Sequence, residues 1–143
     1  MLGVAAALFV RARPVDVVPP GATGATGTAC DRLQRALPRT VAGQPRLDVR
    51  PLSVQTAAWG GAPIVLRCGV GRPRALVPTS VLYPIGGIDW LPEPVDGGTR
   101  FTSVGLLANV EVSVPHDYQP AVDALFDLGP AIARTDPATP ANN

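Results

Sequence analysis

The stretch Asn109-Val110-Glu111-Val112-Ser113-Val114 decides the fold, because its valines alternate with polar residues. Successive side chains of a β-strand point to opposite faces of a sheet, so this pattern puts one face in the core and the other in water. A sheet with one wet face is typically antiparallel. The stretch therefore predicts a strand of an antiparallel sheet.

Further short, β-rich runs bounded by Gly and Pro precede this strand. In one of them Ile64, Leu66 and Cys68 share a face, and Gly86-Gly87 is a good turn dipeptide between two others. The runs are residues 46–50, 54–59, 64–68, 75–84, 88–91 and 100–104. Together they predict a sheet of about five to six short strands.

A helix is predicted before the strands. Cys30, Leu33 and Leu37 recur at helical spacing, and Pro38 ends the pattern. The cysteine therefore lies on the inward face of this helix.

A second helix is predicted after the strands. Pro120 suits its first turn, and we expect Val122, Leu125 and Phe126 in its inward stripe. Gly129-Pro130 is expected to break or kink it. The predicted fold class is α+β: an antiparallel sheet with an N-terminal and a C-terminal helix packed on one face.

The two cysteines, Cys30 and Cys68, both point inward in these elements. In an oxidising compartment they predict a disulfide, which would stabilise the fold by about 4 kcal/mol. Two buried free thiols and a lipid-modified Cys30 are the alternatives. A metal site is not predicted, because two cysteines and the single His116 do not supply the ligands of a structural zinc.

The N-terminus opens with ten apolar residues, followed by Arg11 and Arg13. Ten residues span only about 15 Å of helix, half of a hydrocarbon core. We interpret residues 1–13 as the remnant of a signal or membrane anchor, with a short apolar tail as the alternative.

Composition divides the rest of the chain. Residues 14–27 are rich in Pro, Gly and Thr and predict a flexible linker. Residues 28–134 form one globular domain, and residues 135–143 are expected to be a disordered tail.

The charges nearly cancel, with 12 basic and 11 acidic residues in 143, so no nucleic-acid partner is predicted. All the basic residues are arginine, which together with abundant Ala, Pro and Gly indicates a GC-rich genome.

Several blocks of the sequence resemble the actinobacterial family called domain of unknown function 3515, over roughly residues 29–133. The most specific block runs from Trp59 to Val70. The others are residues 29–38, 56–60, 88–91 and 110–115. The resemblance implies an envelope protein with an N-terminal membrane or signal segment and no established activity.

Possible ligand-binding residues lie on the strands. Arg67 faces away from the core side of its strand, and an exposed arginine near Trp59 and Trp90 would suit an anionic or carbohydrate ligand. The alternative places both tryptophans in the core and pairs Arg67 with Asp89 or Glu111.

No pattern predicts catalysis. Ser113, His116 and Asp117 are neighbours on one strand end and cannot surround a reacting carbonyl by themselves. We therefore predict a non-enzymatic domain without a cofactor.

The predicted function is a scaffold or protein-interaction module tethered to the membrane. Its predicted location is the outer side of the plasma membrane, or secretion, with an envelope protein or cell-wall component as partner. The alternative function is a small-ligand binder or cryptic hydrolase with a cleft around Arg67, Asp89 and Glu111.

Overall fold

A computed structural model describes residues 12–139. The predicted signal or anchor at 1–13 therefore lies almost wholly outside the described residues, as do residues 140–143 of the predicted tail. The elements are β1 (Val15–Asp16), α1 (Gly24–Ala36), β2 (Thr40–Val41), β3 (Gln44–Leu47), β4 (Val49–Arg50), β5 (Thr56–Trp59), β6 (Ile64–Val70), β7 (Tyr83–Ile85), β8 (Ile88–Val95), β9 (Gly98–Val104), β10 (Asn109–Pro115) and α2 (Val122–Thr135).

The α+β class is confirmed, but the prediction of five to six strands is too low. The main sheet has eight strands in the order β2-β3-β5-β6-β10-β9-β8-β7, with every neighbouring pair antiparallel. The two edge strands, β2 and β7, hold only two and three residues. β2 is too short to show alternation, so the sequence pattern underestimates the sheet. The predicted run 75–84 reaches β7 only at its end, because residues 71–82 form a loop.

The strand predicted from the alternating valines is β10, which lies in the middle of the sheet between β6 and β9. Its valines Val110, Val112 and Val114 are buried in the core, where they meet residues of both helices. We call this the inner face of the sheet. The opposite side is the outer face, and it carries Glu111 and Ser113 of the same strand.

Both ends of the sheet reach helix α2. The turn between β2 and β3 binds it through the Ala42 backbone N–H, which donates to Asp127 Oδ2 at 2.8 Å. The turn between β7 and β8 packs against it where Gly86 meets Gly129. The sheet therefore curls around α2, and each of its edge hairpins is fixed to this helix.

Helix α2 corrects two expectations. Its buried stripe includes Leu125, Leu128 and Ile132, whereas Phe126 is 56% exposed, because it lies one position outside that stripe. Pro130 lies inside the helix, so the expected break does not occur. The buried residues on both sides of Pro130 hold the chain in helical form, although one intrahelical hydrogen bond is lost.

The disulfide between Cys30 and Cys68 is confirmed, with a Cα–Cα distance of 5.6 Å. It joins α1 to β6 across the core, and both residues are buried. The described residues contain no free cysteine.

Part of the predicted linker is structured. Val15 in β1 pairs in parallel with Val49 in β4, and helix α1 already begins at Gly24. The Gln55 side chain accepts hydrogen bonds from the N–H groups of Gly21 and Ala22 and donates to the Ala22 carbonyl. We call residues 12–23 the N-terminal strap. Composition suggested a tether, but these hydrogen bonds hold the strap on the domain.

The start of the predicted tail is also bound. Asp136 ends α2, is 2% exposed, and accepts a hydrogen bond from the Ala108 N–H through Oδ1 at 2.9 Å. Its Oδ2 is buried without a hydrogen-bond partner. Burial raises the pKa of this carboxyl group to about 6. Leu106 then bridges to Ala138, so the chain stays attached after the helix.

Candidate functional site

Two ion pairs lie side by side on the outer face of the sheet. Arg67 on β6 is the register partner of Glu111 on β10, and Arg67 Nη1 lies 3.3 Å from Glu111 Oε1. Arg100 on β9 is the partner of Glu93 on β8, and Arg100 Nη2 lies 3.3 Å from Glu93 Oε2. Strand pairing thus sets four charged side chains in one part of the face, as expected for opposite charges across an antiparallel pair.

These side chains form the floor of a concavity of about 440 Å³. One wall is the beginning of the segment after β6, where Arg72 and Arg74 line the cavity. The N-terminal strap contributes Pro20. We call this site the arginine cleft and define it by Arg67, Arg72, Arg74, Glu93, Arg100 and Glu111.

The arginine cleft has an excess of two positive charges, since four guanidinium groups face two carboxylates. Within residues 12–139, neither Arg72 nor Arg74 forms an ion pair, and both are exposed. A guanidinium group presents several N–H donors in a planar fork that matches carboxylate and phosphate groups. The two unpaired arginines are therefore placed to bind an anion that enters the cleft.

The strap is held against the cleft by Arg67 itself. Arg67 Nε donates to the Val18 carbonyl oxygen at 2.9 Å, while the other arm of the guanidinium group faces Glu111. The guanidinium group of Arg67 is thus already bound to two groups of the same domain. Its role in the cleft is to position the strap and the Glu111 carboxylate, and Arg72 and Arg74 remain available for a ligand.

The structure brings together only part of the predicted ligand-binding set. Arg67 and Glu111 meet, but Asp89 lies four residues before Glu93 on β8. Four residues of a strand amount to about 13 Å. Asp89 is exposed and does not line the arginine cleft.

The two tryptophans are fully buried. Trp59 donates its indole N–H to the Pro38 carbonyl, and Trp90 donates to the Ile85 carbonyl. Both rings belong to the core cluster. Neither offers an exposed face on which a ligand could stack, so the cleft has no aromatic platform from these residues.

Sequence reasoning missed Arg72, Arg74, Glu93 and Arg100 as members of the site. Glu93 and Arg100 carried a usable signal, because opposite charges on either side of a turn at Gly97 suggest a cross-strand pair. Arg72 and Arg74 carried none, since only the course of the chain after β6 brings them back over the sheet.

The other polar residues considered for chemistry do not form a catalytic group. His116 is exposed, and its backbone N–H binds the Gly97 carbonyl in the turn before β9. Ser113 lies on the outer face opposite Arg100. Over the described range 12–139, no group of three His, Cys, Asp or Glu side chains is placed to hold a metal ion. No helix in this range is long and apolar enough to cross a membrane.

The fold and the site define a disulfide-linked α+β domain with an arginine-rich cleft on the outer face of its sheet. The chain belongs to the family described as protein of unknown function (DUF3515), which matches residues 1–141. No curated protein and no solved structure matches it.

Proposed function

We propose that this protein is a non-enzymatic binding domain of the cell envelope, and that its arginine cleft binds an anionic ligand. The observation that supports it is the excess of two guanidinium groups over carboxylates in a concave site. A cavity of about 440 Å³ is larger than a single phosphate or carboxylate group, so we expect the anionic group to be attached to a larger body.

The disulfide supports the proposed location outside the cytoplasm, because disulfides persist in oxidising compartments. The exclusive use of arginine among the basic residues supports an actinobacterial source. Export through the apolar N-terminal segment, as a secreted or membrane-tethered protein, is part of the same proposal.

The sequence alone favours a protein-interaction scaffold over a small-ligand binder. The concave shape of the outer face favours the small-ligand binder. A cleft suits a ligand that enters it, whereas a scaffold needs a surface that a protein partner can cover. A cell-wall component with acidic groups would satisfy both descriptions. A hydrolase around Arg67, Asp89 and Glu111 is less well supported, since Asp89 does not line the cleft that holds the other two.

The experiment is a calorimetric titration of the oxidised full chain with glycerol phosphate, pyrophosphate and, as the uncharged control, glycerol. We expect both phosphates to bind and glycerol not to bind. The double variant Arg72→Gln/Arg74→Gln should weaken phosphate binding at least tenfold, because each charge-assisted hydrogen bond contributes about 1.5–3 kcal/mol.

The matched control is Arg35→Gln/Arg39→Gln, which removes the same charge from two exposed positions in and after α1. We expect it to leave the affinity within twofold of the parent protein. Absence of binding in the parent, or an equal loss in both double variants, would show that the cleft is not an anion site.

A further inference from the structure

The arginine cleft is bordered by a segment with an unusual combination of side chains. Residues 71–82, between β6 and β7, contain two arginines, no acidic residue and several aliphatic residues. Val77 is 50% exposed and Val81 is 69% exposed. We call this segment the cleft loop. Its first residues, including Arg72 and Arg74, line the cleft, and the two exposed valines follow Arg74 by three and seven residues.

The cleft loop is ordered by its own hydrogen bonds. The Ser80 hydroxyl accepts from the Val77 N–H at 2.9 Å, and the Ser80 N–H donates to the Val77 carbonyl. These bonds close a tight turn between the two exposed valines. The turn is therefore held by two hydrogen bonds, and the valines at its start and just after its end are both exposed.

The opposite wall of the cleft repeats the pattern. Val18 of the N-terminal strap is 75% exposed, and its carbonyl oxygen is bound by Arg67. Pro20, two residues later, lines the cleft. Exposed aliphatic side chains therefore occur in both of these segments, and each segment also contributes residues that line the cleft.

Single exposed aliphatic residues are ordinary on protein surfaces. Aliphatic side chains around a basic site are the combination that binds an anionic membrane surface, where the aliphatic groups enter the interface and the arginines bind phosphates. We infer that the cleft loop lies on the membrane and that the arginine cleft binds the phosphate of an anionic lipid headgroup. This inference rests on the proposed function and names its ligand.

The rest of the surface provides a contrast. Phe126 on α2 is 56% exposed, but it is flanked by Asp123 and Asp127 on a helix that packs on the inner face of the sheet. Anionic headgroups would be repelled by these carboxylates. The carboxylates beside Phe126 therefore contrast with the guanidinium groups of the cleft, and the cleft side complements an anionic bilayer better than this surface of α2 does.

The test places a fluorescent reporter on each side. Val77→Trp puts an indole on the cleft loop, and Phe126→Trp puts one on α2 at similar exposure, while Trp59 and Trp90 stay buried in both variants. Each full-chain variant is mixed with vesicles of brominated phosphatidylglycerol or brominated phosphatidylcholine. Both variants keep the same N-terminal segment, so any tethering by that segment is common to them.

We expect quenching of the Val77→Trp indole in phosphatidylglycerol vesicles and at least tenfold weaker quenching in phosphatidylcholine, with no quenching of the Phe126→Trp indole. Val81→Trp gives the same readout if Val77→Trp does not fold. Equal quenching of both reporters, or of neither, overturns the inference.

A second measurement separates this inference from the proposed function. Val77→Gln, which removes the aliphatic group without adding charge beside the cleft, should weaken vesicle binding at least tenfold and leave the affinity for free glycerol phosphate unchanged. If the parent binds glycerol phosphate but the loop reporters are not quenched, the ligand is a soluble anion and the membrane inference fails alone. If neither is observed, both proposals fail.

Discussion

Gly86, in the turn between β7 and β8, lies directly against Gly129 in helix α2, and no side chain fits between them. A Cβ atom on Gly129 would collide with the Gly86 carbonyl oxygen, and one on Gly86 would lie 2.9 Å from the Leu125 carbonyl oxygen. This contact fixes one edge of the curled sheet to the helix that it surrounds. The other edge is fixed through Ala42 and Asp127.

We expect Gly129→Ala to lower the free energy of unfolding by about 1–3 kcal/mol, because the turn must move away from the helix to admit the methyl group. Alanine otherwise favours a helix over glycine by about 1 kcal/mol, so intrinsic propensity alone predicts the opposite sign. Urea denaturation measures the change. Gly61→Ala is the control, since a Cβ there meets no atom within 4 Å, and a larger loss at Gly61 would contradict the interpretation.

The disulfide joins residues separated by 38 positions, so its loss should be large. Replacing Cys30 and Cys68 together with alanine is expected to reduce stability by about 4 kcal/mol, because the unfolded chain regains the entropy of an open loop. Urea denaturation of the parent with and without dithiothreitol should give a shift in the same direction. An unfolding midpoint that does not respond to the reductant would contradict this expectation.

Asp136 should make stability depend on pH. Its pKa of about 6 in the folded protein lies above the usual aspartate value, so the charged form is disfavoured by folding. This penalty is complete above pH 6 and is relieved as the pH falls toward 4. Asp136→Asn is therefore expected to stabilise the protein by roughly 1–3 kcal/mol at pH 7.5 and to have little effect near pH 4.

Thermal or urea unfolding across this pH range would measure the effect of Asp136→Asn. Asp31→Asn, at an exposed position on α1, is the matched control and should not reproduce the gain at neutral pH. A stabilisation that is constant between pH 4 and 7.5 would show that the change acts through packing and not through the carboxyl charge.

Gln55 should decide whether the N-terminal strap stays on the domain. Its side-chain amide makes three hydrogen bonds to the backbone of Gly21 and Ala22, so we expect Gln55→Ala to release the strap at a total cost of about 1–3 kcal/mol. Amide hydrogen exchange should accelerate at Gly21 and Ala22 but not at the central strand β10. Gln119→Ala, which removes only a weak 3.4 Å contact to His116, should change neither.

How much of the fold could be predicted from the sequence depends on whether a feature is set by a local pattern of residues or by contacts between distant parts of the chain. Alternation at 109–114 predicts the central strand, and the inward placement of Cys30 and Cys68 predicts their disulfide, which the structure confirms. The edge strands β2 and β7 are too short for a pattern to appear. The sequence pattern predicts Phe126 in the core, but its side chain is exposed. It points about 100° around the helix from that of Leu125, which puts it outside the buried stripe.

The arginine cleft shows the same difference between local and long-range features. Arg67 and Glu111 each alternate with core residues on their own strand, so their placement on the outer face is a local property of the sequence. The other cleft residues come close to them only through the strand order and the path of the chain after β6. These residues are Arg72, Arg74, Glu93 and Arg100. By itself the sequence determined which side chains of the central strands face water. Only the tertiary structure decided which of them share a cleft, because residues distant in the chain become neighbours only through the pairing of strands.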